Sequence, residues 1–210
     1  MRTAAVLPVK SFGRAKSRTA LEPEPRAALV EAMVADVLDA LAETGGLDET
    51  IVVTREPRAI AAAHAVGALV IDDPAEDGHS RAAMRGTAEA VARGAERVLL
   101  VPGDCPGLDA AELDTLLAGA QAGVTVIPDR HGSGTNALLL DPPGAIEPSF
   151  GPGSFARHCA LARAAGAAVH VVEVPSLAFD VDTPEDLAAL LTMTPPTRRT
   201  RAVLGSRLSV

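Results

Sequence analysis

Two acidic segments far apart in the chain carry the strongest chemical signal. Asp104 stands in Val101-Pro102-Gly103-Asp104-Cys105-Pro106, directly after the apolar run Val98-Leu99-Leu100-Val101. Asp180-Val181-Asp182-Thr183-Pro184 stands directly before an expected helix. A carboxylate just past a buried strand and another fixed at a helix entrance suit a divalent metal held against phosphates. Extended backbone at 180–182 would point Asp180 and Asp182 to one side. The same pair also reads as a helix-start acid cluster favoured by the macrodipole. Asp104 is not required as a cap, because Asp109 with Glu112 forms a capping box for the helix that follows. Cys105 reads as a packing residue rather than a nucleophile.

Four loops could serve those acids. Pro8-Val9-Lys10-Ser11-Phe12-Gly13-Arg14-Ala15-Lys16-Ser17-Arg18 follows the first strand and holds four cations. Amides and cations together suit a triphosphate. The spacing is neither a P-loop nor G-x-G-x-x-G, and a solvated basic surface is the plainer reading. Arg130-His131-Gly132-Ser133-Gly134-Thr135-Asn136 leads into a strand, and Phe150-Gly151-Pro152-Gly153-Ser154-Phe155 opens a helix. Both offer amides and hydroxyls of the kind an anion site uses, and both read equally as ordinary turns. Asp77-Gly78-His79-Ser80-Arg81 enters a helix after the third strand, where a base would lie in a nucleotide-binding sheet; Ser80 is also a plain N-cap candidate.

The elements that must position these loops alternate. Strands are expected at Ala4–Val9, Ile51–Thr54, Ala68–Ile71, Arg97–Val101, Val124–Ile127, Asn136–Leu140 and Ala168–Val174. Helices are expected at Glu24–Glu43, Pro57–Ala65, Ser80–Arg93, Asp109–Leu117, Gly153–Ala165 and Pro184–Leu191. The first has the clearest apolar stripe: Val30, Met33, Val34, Val37, Leu38 and Leu41. Thr183 is the expected cap of the last, with Pro184 at its first position. Strands separated by helices of this length imply a mostly parallel sheet covered on both faces, with ligands outside the carboxyl ends of its strands.

The 210 residues fit one domain over 1–193 and an Arg-rich tail over 194–210 expected to be disordered. Apolar residues make up 48% but aromatics only 2%, so Ala, Val and Leu must build the core. A net charge of −8 argues against a general nucleic-acid binder, and removing the tail's four arginines takes it to −12. Cys105 and Cys159 are too few for a disulfide framework. With no leader-like start and no apolar run near the roughly 20 residues that span a bilayer, a cytoplasmic protein away from membranes is expected.

Together, Pro8-Val9-Lys10 with Ala15-Lys16-Ser17-Arg18, Pro102-Gly103-Asp104-Cys105-Pro106, Gly134-Thr135-Asn136-Ala137-Leu138, Phe150–Phe155 with His158, and Asp180-Val181-Asp182-Thr183-Pro184-Glu185-Asp186-Leu187 resemble the 2-phospho-L-lactate / phosphoenolpyruvate guanylyltransferases of coenzyme F420 biosynthesis. The resemblance covers roughly residues 3–191. It implies a three-layer α/β sandwich with a mostly parallel mixed sheet, a glycosyltransferase-A-like, Rossmann-like nucleotidyltransferase fold. It implies that GMP passes from GTP to phosphoenolpyruvate or 2-phospho-L-lactate with release of pyrophosphate.

Under that resemblance Asp104 and Asp182 are the metal carboxylates, for Mg²⁺, with Asp180 nearby, and Lys16 joins them in catalysis. Thr135, Gly151 and Ser154 bind the phospho-acid. Pro8, Lys10, Lys16, Arg18, Gly78 and Ser80 bind the nucleotide. Many members carry Leu-Asn after the glycine matching Gly78, where this chain has His79-Ser80, so Ser80 stands where that Asn meets the base. A downstream transferase is expected to take the product. Another nucleotidyltransferase, of molybdopterin or sugar-phosphate type, and a non-catalytic nucleotide-binding regulator are the alternatives.

Overall fold

The structure is a computed structural model and describes residues 1–14, 22–192 and 197–205. Seven strands form one sheet: β1 (Thr3–Pro8), β2 (Glu49–Val53), β3 (Leu69–Ile71), β4 (Arg97–Leu100), β5 (Gly123–Pro128), β6 (Thr135–Asp141) and β7 (Val169–Val171). The helices are α1 (Pro23–Glu43), α2 (Pro57–Ala65), α3 (His79–Ala92), α4 (Ala110–Ala118), α5 (Ser154–Ala164), α6 (Pro175–Ala178), α7 (Pro184–Thr192) and α8 (Arg198–Gly205). The strand order is β3-β2-β1-β4-β6-β5-β7. All pairings are parallel except those of β6, which runs antiparallel to β4 and β5.

Alternation along the strands makes three layers. Ala5, Leu7, Val52, Leu99 and Leu139 face one way and join the buried stripe of α1, Val30, Met33, Val34, Val37, Leu38 and Leu41, in one core. Ala4, Val6, Ile51, Val53, Leu100 and Leu138 face the other way, onto Ala82, Ala83 and Ala90 of α3 and Cys159 and Ala162 of α5. Small residues replace aromatics by bringing backbones close. A Cβ on Gly86 of α3 would lie 2.3 Å from Val6 Cγ1 and 2.9 Å from Val53 Cγ2, so only glycine fits there.

The reversal of β6 matters for function. Leu100 at the end of β4 pairs with Leu138, and Pro128 at the end of β5 pairs with Thr135. The start of β6, not its end, therefore lies at the carboxyl edge of the parallel strands. That edge collects the loops after β1, β4 and β5 and the chain entering β6.

Three local expectations are corrected. The strand expected over Ala168–Val174 ends at Val171, and Pro175, suited to the first turn of a helix, starts α6. Only half of the 109–112 capping box forms. Asp109 Oδ1 accepts from Ala111 N at 2.8 Å and Glu112 N at 3.2 Å, but Glu112 Oε2 accepts from Ser176 N at 2.9 Å.

The third correction concerns the expected tail, whose residues Arg198–Gly205 form α8 on α1. Asp36 of α1, 5% exposed, accepts from Arg199 N at 3.0 Å and from Thr200 N and Oγ1 at 2.9 and 2.7 Å. Arg199 and Thr200 are the second and third residues of α8, so Asp36 caps that helix from another element. Arg199 also grips Asp39 through Nε and Nη2 at 3.0 and 3.1 Å.

Candidate active site

The two acidic segments meet. Val181 N donates to the Asp104 carbonyl at 3.0 Å, and the Val181 side chain is fully buried. That bond fastens the segment that carries Asp180 and Asp182 against the turn that carries Asp104. Asp186 holds its far end: Oδ2 accepts from Asp182 N at 2.9 Å and Thr183 N at 2.8 Å. Thr183 Oγ1 accepts from Asp186 N at 3.2 Å, completing a reciprocal cap on α7. Asp186 Oδ1 in turn takes Arg130 Nη2 at 2.7 Å, and the Arg130 guanidinium lies 4.9 Å from the centre of the Phe179 ring.

Electrostatics record the crowding. Burial pushes the Asp180 carboxyl above its ordinary value, and the charges of Asp104 and Asp182 push it the same way. Its own backbone N–H and Asn136 act against that rise. A divalent cation would relieve this repulsion, so the donor set suits a hard, oxygen-seeking ion. Among the described residues no three His, Cys, Asp or Glu side chains form a ready-made cage. Magnesium needs no such cage, because it draws on one or two carboxylates, phosphate oxygens and water.

The nucleotide-side assignments are placed unevenly. Pro8 ends β1 and is buried, and Lys10 is exposed just beyond it. Ser11 N donates to Glu76 Oε1 at 2.9 Å, the Ser11 hydroxyl donates to the same oxygen, and Phe12 N donates to Glu56 Oε2 at 2.9 Å. These carboxylates shape the loop and occupy amides that sequence reasoning assigns to phosphate. Lys16 and Arg18 lie outside the described residues. Gly78, not Ser80, is the cap residue of α3. The Ser80 hydroxyl accepts from Phe150 N at 2.9 Å, tying the start of α3 to the 149–155 loop. His79 stacks edge-on against Phe150 at 4.7 Å. Burial lowers the His79 pKa, with Asp104 acting against the shift and Lys10 adding to it, which puts His79 within electrostatic reach of both.

The acceptor-side residues form one network. Gly151 and Gly153 have φ of 118° and 70°, backbone that side chains rarely adopt, and they turn the chain so that Ser154 begins α5. Ser154, 1% exposed, accepts Thr135 N at 2.8 Å. His158, fully buried one turn along α5, lies 2.9 Å through Nδ1 from Thr135 Oγ1 and accepts Ser149 N on Nε2 at 2.8 Å. Arg157 Nε and Nη2 reach the Ser149 carbonyl at 3.1 and 2.7 Å. Asn136 Nδ2 donates to the Leu177 carbonyl at 2.7 Å and points toward Asp180 Oδ1 at 3.5 Å, so it links the acceptor loop to the acids.

Asp104, Asp180, Asp182 and Asn136 thus come together, and Thr135, Ser154 and His158 stand beside them through adjacent Thr135 and Asn136. The sequence alone gives Asn136, His158, Arg130 and Asp186 no role. Asn136 directly after Thr135 was the available signal, since a polar side chain entering a buried strand needs a partner. Cys105 is buried with Sγ 3.5 Å from the Leu177 carbonyl, a packing position. A cavity of about 450 Å³ between α4 and β7, lined by Glu112, Thr115, His170 and Val174, shares no residue with this site.

The fold is one that solved nucleotidyltransferases share. A solved nucleotidyl transferase from Methanothermobacter thermautotrophicus superposes with a TM-score of 0.66 at 19% identity, over 90% of this chain and 95% of that one. Residues 3–205 match the family model described as "Guanylyl transferase CofC like". A phosphoenolpyruvate guanylyltransferase of Conexibacter woesei is 53% identical over 195 residues, 90% of this chain and 87% of the relative. A more distant relative, a 2-phospho-L-lactate guanylyltransferase of Methanothermobacter thermautotrophicus, is 33% identical over 193 residues, 91% of this chain and 85% of the relative. The chain belongs to the CofC-like guanylyltransferase family. No helix among the described residues is long and apolar enough to cross a membrane.

Proposed function

We propose that this chain transfers GMP from GTP to phosphoenolpyruvate, releasing pyrophosphate, as a cytoplasmic step in coenzyme F420 biosynthesis. The observation that carries this reading is the Val181–Asp104 joint, which brings the two acidic segments together, with Asn136 reaching toward Asp180 from the start of β6. Phosphoenolpyruvate is preferred to 2-phospho-L-lactate because the relative bearing the former name is 53% identical and the one bearing the latter 33%.

In this reading an oxygen of the acceptor's phosphate attacks the α-phosphorus of GTP in line. The new O–P bond forms as the bond to the bridging α–β oxygen breaks, and pyrophosphate leaves with the electron pair. The phosphate is already anionic, so no protein nucleophile is needed; positioning and charge neutralisation do the work. Asp104 and Asp182 would hold Mg²⁺, with Asp180 beside them. The ion, when bound, supplies positive charge against the phosphate oxygens. Thr135, Gly151 and Ser154 orient the phospho-acid. Lys10 approaches the nucleotide phosphates, and Lys16 and Arg18 keep their sequence-based assignment to the leaving pyrophosphate. Gly78 and Ser80 flank the base. The product, a mixed diphosphate, is labile enough to call for direct transfer to a downstream transferase.

The test is pyrophosphate release from each of the four ribonucleoside triphosphates, paired in turn with phosphoenolpyruvate and 2-phospho-L-lactate. Release confined to GTP, and faster with phosphoenolpyruvate, is expected. Release only with another acceptor class, such as a sugar phosphate, would replace this reading, and no release from any pair would favour a nucleotide-binding regulator.

A further inference from the structure

Resting on that reading of the acceptor loop, we propose that His158 is a positioning residue: its fixed neutral tautomer donates Nδ1–H to Thr135 Oγ1, turning the Thr135 hydroxyl hydrogen outward to the anionic group of the phospho-acid. The argument is hydrogen-bond accounting. Ser149 N–H donates to His158 Nε2 at 2.8 Å, so that nitrogen presents its lone pair and carries no proton. The ring is fully buried. Burial and the neighbouring Arg157 charge lower its pKa to about 4, so at neutral pH it is uncharged. A neutral ring with a bare Nε2 carries its proton on Nδ1. Nδ1 stands 2.9 Å from Thr135 Oγ1, so it donates and the hydroxyl accepts.

A hydroxyl has one hydrogen and two lone pairs. With one lone pair committed to His158, the Thr135 hydrogen is left for an acceptor, and among the described residues His158 is the sole hydrogen-bond partner of that oxygen. The main chain is held by the same design. Thr135 N–H is taken by Ser154 Oγ at 2.8 Å, so the residue cannot rotate away from the loop. Phe150 packs edge-on against the His158 ring at 5.2 Å, and Arg157 pins the Ser149 carbonyl at 2.7 Å, fixing the donor that sets the tautomer. An outer-shell partner that dictates a proton's place tunes an anion-binding hydroxyl without touching the anion.

Two substitutions separate this role from simple packing. In His158→Asn the side-chain amide lies near the old Nδ1 and can still donate to Thr135, but it cannot reach Ser149. In His158→Gln the terminal group lies near the old Nε2 and can still accept from Ser149, but it cannot donate to Thr135. The expected result is a KM for phosphoenolpyruvate raised roughly tenfold or more in His158→Gln and largely restored in His158→Asn, with the KM for GTP unchanged in both. In a Thr135→Val background, His158→Gln should add nothing further. Equal losses in the two variants, or losses in the GTP KM, would overturn the proposal. If neither variant folds, nitrogen-15 shifts of the wild-type imidazole decide: a protonated Nδ1 and bare Nε2 at pH 7 are expected, and the reverse tautomer overturns it. That spectrum needs no turnover, so a wild-type protein inactive with both acceptors would sink the function while leaving the tautomer to its own test.

Discussion

The main-chain N–H of Val181 donates to the carbonyl of Asp104 at 3.0 Å, joining residues 77 positions apart in the chain at the carboxyl edge of the sheet. The bond uses backbone only, so the neighbouring carboxylates can be altered without undoing the joint. Asp104→Asn and Asp182→Asn should each lower turnover on the order of a hundredfold while leaving the thermal midpoint nearly unchanged. Steady-state kinetics beside a melting curve check this. Wild-type turnover in Asp104→Asn with Mg²⁺ supplied would remove that residue from the mechanism.

Ser154→Ala removes the acceptor of Thr135 N–H in a buried position. Leaving that donor unsatisfied should cost about 1–3 kcal/mol of stability and raise the KM for the phospho-acid more than that for GTP. Denaturant unfolding and a two-substrate kinetic matrix measure the two effects. A change confined to the GTP KM would reverse the assignment of the loop.

His158 makes a pH prediction with a definite sign. Its folded pKa is lowered from 6.5 to about 4, so the unfolded chain takes up its proton first as pH falls. The stability this residue contributes is complete above about pH 6.5, is lost progressively toward pH 4, and changes no further below that. The loss across the window is roughly 3 kcal/mol. Carboxylates titrate in the same range, so the measurement is the difference in unfolding free energy between wild type and His158→Gln at each pH. That difference should shrink on acidification by about this amount.

Asp36→Ala should release α8. A carboxylate capping two amides and a hydroxyl in a buried setting is worth about 2 kcal/mol. The variant should lose that stability and its slow hydrogen exchange at the Thr200 amide, with kcat unchanged, because the Asp36 carboxylate bonds to Arg199 and Thr200 of α8.

That Asp104, Thr135, Ser154 and Asp182 sit near element boundaries is legible in sequence, because such boundaries follow from local pattern. The stripe of α1 was legible for the same reason. The direction of β6 was not: alternation reads the same forward and backward, and only the pairings Leu100–Leu138 and Val126–Leu138 reveal it. Helix α8 was missed because its cap, Asp36, lies 164 residues from Thr200, and an isolated segment of eight polar-rich residues has no local reason to fold. The Glu112 contact is not legible, because the nearby cap amide and the distant Ser176 amide compete for one carboxylate and sequence shows only the first. The bond that the Ser80 hydroxyl accepts from Phe150 N, 70 residues on, leaves no local trace in the sequence.

The central claim is chemical, and phosphorus-31 spectra test it most directly. Wild-type protein with Mg²⁺, GTP and phosphoenolpyruvate should convert the phosphoenolpyruvate resonance into a pair of coupled diphosphate doublets, with one pyrophosphate formed for each. Inorganic phosphate as the only new signal, or an unchanged phosphoenolpyruvate resonance while GTP is consumed, would contradict guanylyl transfer to that acceptor.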